Sequence, residues 1–378
     1  MQKNIALFGV VNLPEMEAAA VQVMRSGRIA SGEYVGKFEA AFGRLTGQTH
    51  VVTTVDMTSA IFLALHLSGV TPGDEVLTTA FACLSTNSAI AQKGAVPVWV
   101  DVKPGSIEID LEDLAAKITP KTKAVLLYHV AGYPGPAREL ALLCKKHGIQ
   151  LIEDCDNALL AERDAEQVGS HGDFAVYSFY PNRQINATDG GALVCKNPNH
   201  ATRARRLRRF GIDATTFRTT EGEVNPASDI LEIGWALTMS NLCTALACAQ
   251  LPSVHDRIAK TRANAATLGK LLANIPGLTA VPIGSTVNPV YWGYLMFAQD
   301  RDRLLTYLKT NGVMASRVHF RNDRYTGFNA THQGELPHTN YLMDHILAIP
   351  CGWWLNEDDL GYIGNTMLQA YSAKLQPK

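Results

Sequence analysis

The chain has 378 residues, 47% of them hydrophobic and 18% charged, with a formal net charge of −1. This length supports one large domain and a smaller one, and the near-neutral balance excludes nucleic acid or an anionic membrane surface as the main partner. No apolar stretch is long enough to span a bilayer and the first ten residues lack a signal peptide's apolar run, so a cytoplasmic protein is expected.

Short apolar runs alternate with helical patterns from about residue 50 to 195. Val51–Thr54 reads as a strand, followed by a helix from about Thr58, and Glu75–Thr79 as the next strand, with a helix over about 85–93. Pro97–Val100, Ala124–His129 and Ile149–Asp154 follow, the last preceded by a helix over 137–147 that Gly148 closes. Phe174–Ser178 and Gly191–Cys195 complete the series. Strands buried on both faces and alternating with helices predict a mostly parallel α/β sheet. The pattern changes near residue 245, where a long helix over 256–277 leads into shorter segments. The expected division is therefore a large α/β domain over 1–245 and a small α+β domain over 246–378. Five arginines between Arg203 and Arg209 fit one face of a helix, solvated or facing phosphate. The seven cysteines are odd in number and lack a CxxC pair, which predicts free thiols.

In such sheets ligands gather outside the carboxyl ends of the strands. Met57-Thr58-Ser59 opens a helix there, where free N–H groups suit a phosphate, although Thr58 or Ser59 could simply cap. Asp154 ends its strand and could hold a protonated ring nitrogen or form an ordinary salt bridge. Ser178, Arg183 and Gly190-Gly191 suit an anion held close to the backbone, or a turn with an ion pair. His319, Arg321, Asn322 and Asp323 form a polar cluster that could meet a substrate or water. Trp353-Trp354 reads as domain-edge packing.

Taken in order, these segments resemble the DegT/DnrJ/EryC1/StrS family of nucleotide-sugar aminotransferases. The matching pieces include Gly73-Asp74-Glu75-Val76, Gly94 through Val102, His129-Val130-Ala131-Gly132-Tyr133-Pro134, Glu153-Asp154, Gly169 through Asp173, Ser178-Phe179-Tyr180-Pro181, Asp189-Gly190-Gly191 and Arg208-Arg209-Phe210-Gly211. The resemblance implies fold-type I, the aspartate aminotransferase-like architecture of pyridoxal-phosphate (PLP) transferases. It also implies a homodimer with active sites at the subunit interface, and an amino group passed through PLP or its aminated form, PMP, to a keto-sugar nucleotide. By position, Asp154 would face the ring nitrogen, while Met57, Thr58 and Ser178 would hold the phosphate. The Schiff-base lysine falls on Arg183, the aromatic residue over the ring on Cys83, the Gln or His beside the ring on Asn157, and the phosphate-turn Gly on Met57. An Asn from the neighbouring subunit falls on Ala236, and an Arg on Thr238.

Transamination needs a primary amine that forms an imine and then moves a proton. A guanidinium stays protonated and is a poor nucleophile, but it forks well onto phosphate or carboxylate. Covalent PLP is therefore not expected. Three readings stay open: an atypical enzyme or binder of an anionic, nucleotide-sugar-like ligand, with Arg183 as clamp and Asp154 or His319 as proton carrier; a PLP-dependent aminotransferase carrying an inactivating substitution; and a non-catalytic partner of an active paralogue in a heterodimer.

Overall fold

The computed structural model describes residues 3–328 and 334–372. Seven strands form the main sheet: β1 (Val51–Thr54), β2 (Glu75–Thr79), β3 (Val96–Val100), β4 (Thr122–Tyr128), β5 (Gln150–Asp154), β6 (Phe174–Ser178) and β7 (Gly191–Cys195). Their order is β1-β7-β6-β5-β4-β2-β3. Strand β7 runs antiparallel to both neighbours, and the remaining pairs are parallel. The alternation read from the sequence is the alternation seen. Along β4, Ala124 and Leu126 enter the core on one face, while Val125 and Leu127 enter the core on the other.

Before the sheet come α1 (Pro14–Ser26) and α2 (Tyr34–Thr46). Within it lie α3 (Met57–Leu67), α4 (Leu84–Gln92), α5 (Leu111–Ala116), α6 (Ala137–His147) and α7 (Pro198–Leu207). Helix α6 ends at Gly148, whose φ of 67° is the left-handed cap expected there. Beyond come α8 (Asn241–Gln250) and α9 (Val254–Leu272), then a three-stranded antiparallel sheet of β8 (Leu278–Ala280), β9 (Tyr294–Ala298) and β10 (Ile346–Ile349). It packs with α10 (Arg301–Thr310), α11 (Pro337–His345) and α12 (Glu357–Ser372). Ile5 bridges to Val313 and joins this C-terminal core.

The arginine run is largely solvent-exposed, as read from the sequence, and four of its members also make specific contacts. Arg203 pairs with Glu232, Arg206 with Asp213, and Arg208 with Glu39, while Arg205 donates to the Val51 carbonyl. These side chains tie α7 to β1, to α2 and to the segment that follows α7. All seven cysteines are free, four of them buried.

Candidate active site

The carboxyl ends of β4, β5 and β6 converge on one cluster of polar side chains. Asp154, at the end of β5, is fully buried. Its Oδ2 accepts from the Thr86 hydroxyl at 2.6 Å and its Oδ1 from the Asp156 N–H at 3.0 Å. The strand ends at Asp154 and Asp156 lies in the turn that follows, held by this bond from its N–H to the Asp154 side chain, which brings a second carboxylate into the cluster.

That carboxylate meets Arg183. Arg183 Nε donates to Asp156 Oδ1 at 2.5 Å and Nη2 to Oδ2 at 2.8 Å, a two-pronged pair in which the partners are 8% and 2% exposed. Arg183 Nη1 donates to the Asn182 side-chain oxygen. The guanidinium carbon lies 5.2 Å from the Trp292 ring centre and 5.9 Å from that of Tyr180, both within cation–π range. Burial opposes the charge of Arg183, but Asp156 outweighs it and holds the group protonated. Asp154 is pushed up to about 7 by burial and by the neighbouring Asp156.

Tyr128, at the end of β4, links the next residues. Its hydroxyl accepts from Asn157 Nδ2 at 3.0 Å and from the Ala131 N–H at 3.3 Å, using both lone pairs. Its own proton is then donated to His319 Nε2, 3.0 Å away, so His319 carries its proton on Nδ1. Burial and the charge of Arg183 pull the imidazole down to about 3, and His319 is neutral. Its ring is nearly parallel to Trp292, which stacks on Phe8 at 3.9 Å. Asn157 Oδ1 is buried without a hydrogen-bond partner among the described residues.

At the other end of the cleft, Met57 is the first residue of α3 and Asp56 is its cap. The Asp56 carboxylate accepts from the Ser59 N–H at 2.7 Å, so the helix start already faces a negative charge. Ser178 Oγ accepts from the Tyr180 N–H at 3.3 Å. Gly191 lets β7 approach this corner, since a Cβ there would lie 2.6 Å from the Asp56 carbonyl oxygen. Cys83 caps α4, and its sulfur accepts from the Ser85 hydroxyl at 3.0 Å. Burial raises the thiol's pKa, and nearby Asp156 raises it further.

Of the residues singled out from the sequence, Asp154, Asn157, Arg183 and His319 thus join one network, with Cys83 near Asp156 and Arg183. Met57, Thr58 and Ser178 surround the start of α3 and the end of β6. Arg321 is not a free substrate contact: it is buried and paired in two-pronged fashion with Asp323, and it donates to Asn340. Ala236 bridges to Arg209, and the Thr238 hydroxyl donates to the Arg208 carbonyl. Sequence reasoning missed Asp156, Tyr128 and Trp292. The signal for Asp156 was its place two residues after Asp154.

The DegT/DnrJ/EryC1/StrS aminotransferase family model matches residues 13–368. A pleiotropic regulatory protein of Geobacillus stearothermophilus is 29% identical over 369 residues, which cover 95% of each chain. Among solved structures, the sugar aminotransferase CalS13 from Micromonospora echinospora is 31% identical with a TM-score of 0.90, over 97% of this chain and 99% of that one. The aminotransferase TlmJ from Streptoalloteichus hindustanus is 26% identical with a TM-score of 0.91, over 98% of this chain and all of that one (100%). The mixed, mostly parallel sheet is accordingly that of a fold-type I PLP transferase. The chain belongs to the DegT/DnrJ/EryC1/StrS aminotransferase family, whose members are PLP-dependent.

Proposed function

We propose that this protein keeps the sugar-aminotransferase scaffold without lysine-dependent transamination, and serves as a non-transaminating subunit whose cleft is covered by a partner. One observation carries the reading. Where the family's chemistry needs a primary amine, a guanidinium is buried and locked onto Asp156. Among the described residues, no lysine hydrogen-bonds or pairs with Asp154, Asp156, Arg183, Tyr128 or His319. Lys196 lines a groove beside Lys145 and Gly148, at the start of β5 and so at the opposite end of the sheet.

The residues present do not fit PLP. Its ring nitrogen would meet Asp154, which burial and the neighbouring Asp156 push up to about 7, so that it is only partly ionised at neutral pH. Its aldehyde would find no nucleophile. An anionic ligand finds little welcome either, because Arg183 and Arg321 are each neutralised by an aspartate. A covering subunit, in a homodimer or a heterodimer, is supported by the exposed apolar side chains Leu84, Tyr180 and Phe320, which sit beside Cys83, Arg183 and His319 in the chain.

A second reading has one observation in its favour. Asp154, pushed up to about 7, is tuned to donate or accept a proton at neutral pH, as a coenzyme-free reaction on a nucleotide-sugar-like substrate would require.

The test is to titrate the purified protein with PLP, follow the coenzyme's absorbance, reduce with borohydride and map the peptides by mass. The expected result is adducts confined to exposed surface lysines and none on a lysine within the cleft. A reducible adduct on a lysine that reaches the Asp154–Arg183 cluster would overturn the proposal.

A further inference from the structure

We propose that Asp156 is the residue that determines coenzyme specificity in this cleft, so that exclusion of PLP is a property of two residues rather than of Arg183 alone. The inference rests on the reading that transamination has been given up at this site, and it assigns the cause.

Asp156 acts on both ends of the chemistry. Its carboxylate sits within 2.8 Å of two guanidinium nitrogens and is itself almost wholly buried. In that setting it stabilises whatever cation position 183 carries. An amine attacks an aldehyde only when neutral, forming the C=N bond with loss of one water, and an adjacent buried carboxylate keeps an amine protonated. Asp156 also faces Asp154, to which its own backbone N–H is bonded at 3.0 Å. Burial and then the charge of Asp156 oppose the ionisation of Asp154 and push it up to about 7. An Asp154 that is partly protonated at neutral pH holds a charged ring nitrogen less firmly. The aromatic faces of Trp292 and Tyr180 and the Asn182 side chain complete the cage around Arg183. Trp292 Nε1 is in turn fixed on the Asn182 carbonyl at 3.0 Å.

The experiment compares Arg183→Lys, Arg183→Lys/Asp156→Ala and Arg183→Lys/Asp156→Asn, each checked for a cooperative melt. The asparagine variant keeps the side-chain volume if the alanine one does not fold. Each protein is incubated with PLP across neutral to alkaline pH, reduced with borohydride and mapped by peptide mass. The expected result is strong labelling at position 183 in a double variant at neutral pH. The single variant should label about 100-fold more weakly there and catch up only at alkaline pH, since an adjacent opposite charge shifts a pKa by about 1–3 units. Equal labelling of single and double variants at neutral pH would overturn the role of Asp156. So would folded double variants that never label, and in both cases the reading of the unmodified protein would stand. Labelling of a lysine within the cleft of the unmodified protein would overturn that reading itself.

Discussion

Replacing Glu153 by glutamine removes a single charge and should cost the fold about 4 kcal/mol. Glu153 is fully buried beside Asp154. One carboxylate oxygen accepts from the N–H groups of His171 at 2.9 Å and Gly172 at 2.6 Å. The other accepts from the Gly169 N–H at 2.8 Å and meets His129 Nε2 at 3.1 Å. The His129 tautomer is fixed, because its Nδ1 accepts from the Gly135 N–H at 2.9 Å. An amide has only one oxygen, so in Glu153→Gln its NH2 group must face two donors. Each buried donor left without an acceptor costs about 1–3 kcal/mol, which gives the figure above for two. Urea unfolding at fixed protein concentration reads the loss as a lower midpoint. Glu139→Gln, on the exposed side of α6, serves as a control expected to stay within about 0.5 kcal/mol. Burial pushes the Glu153 carboxyl up, but His129 and the backbone donors more than offset this and hold it below its usual value. Its contribution is therefore complete above the ordinary carboxylate range and is lost as pH falls through the depressed value. A loss below about 1 kcal/mol in Glu153→Gln would refute the reasoning.

The remaining expectations are shorter. Asp156→Ala strands a buried guanidinium and should cost about 3–5 kcal/mol, whereas Asp156→Leu/Arg183→Met should be close to neutral; additive losses in a double-mutant cycle would count against a coupled pair. Asp154 has a folded-state pKa of about 7, above that of the unfolded chain, so on its account stability falls as pH rises from about 4 to 7. Urea midpoints of Asp154→Asn across that window should show a flatter slope, and an unchanged slope would contradict the shift. Asp56→Ala removes the cap of α3 and should lower stability by about 1 kcal/mol, which a thermal melt would detect.

Much of this was legible in the chain. The seven strands of the main sheet were readable because strands buried on both faces carry continuous apolar runs, and the longer helices between them were readable from the 3.6-residue period, whereas the six-residue α5 was too short to show one. The place of Arg183 was legible because Ser178 and the Gly190-Gly191 pair bracket it. Its partner was not, since pairing depends on the rotamers of two side chains 27 residues apart. Arg321 illustrates the opposite error. A dense polar loop reads as a substrate contact, yet its guanidinium folds back onto Asp323 two residues away. The arginine run was legible as a largely solvated face, but its partners were not, because the acids and carbonyls that meet it come from distant segments.

Those braces have a second consequence at the rim of the main sheet. Strand β1 is its last strand on one side, and an unpaired row of backbone groups there would invite another chain to add on. Side chains occupy that row instead. Glu39 accepts from the Thr53 N–H, Arg208 donates to the Thr53 carbonyl and Arg205 to the Val51 carbonyl. The edge is thereby closed to strand addition, which guards the folded protein against sheet-to-sheet association from that side.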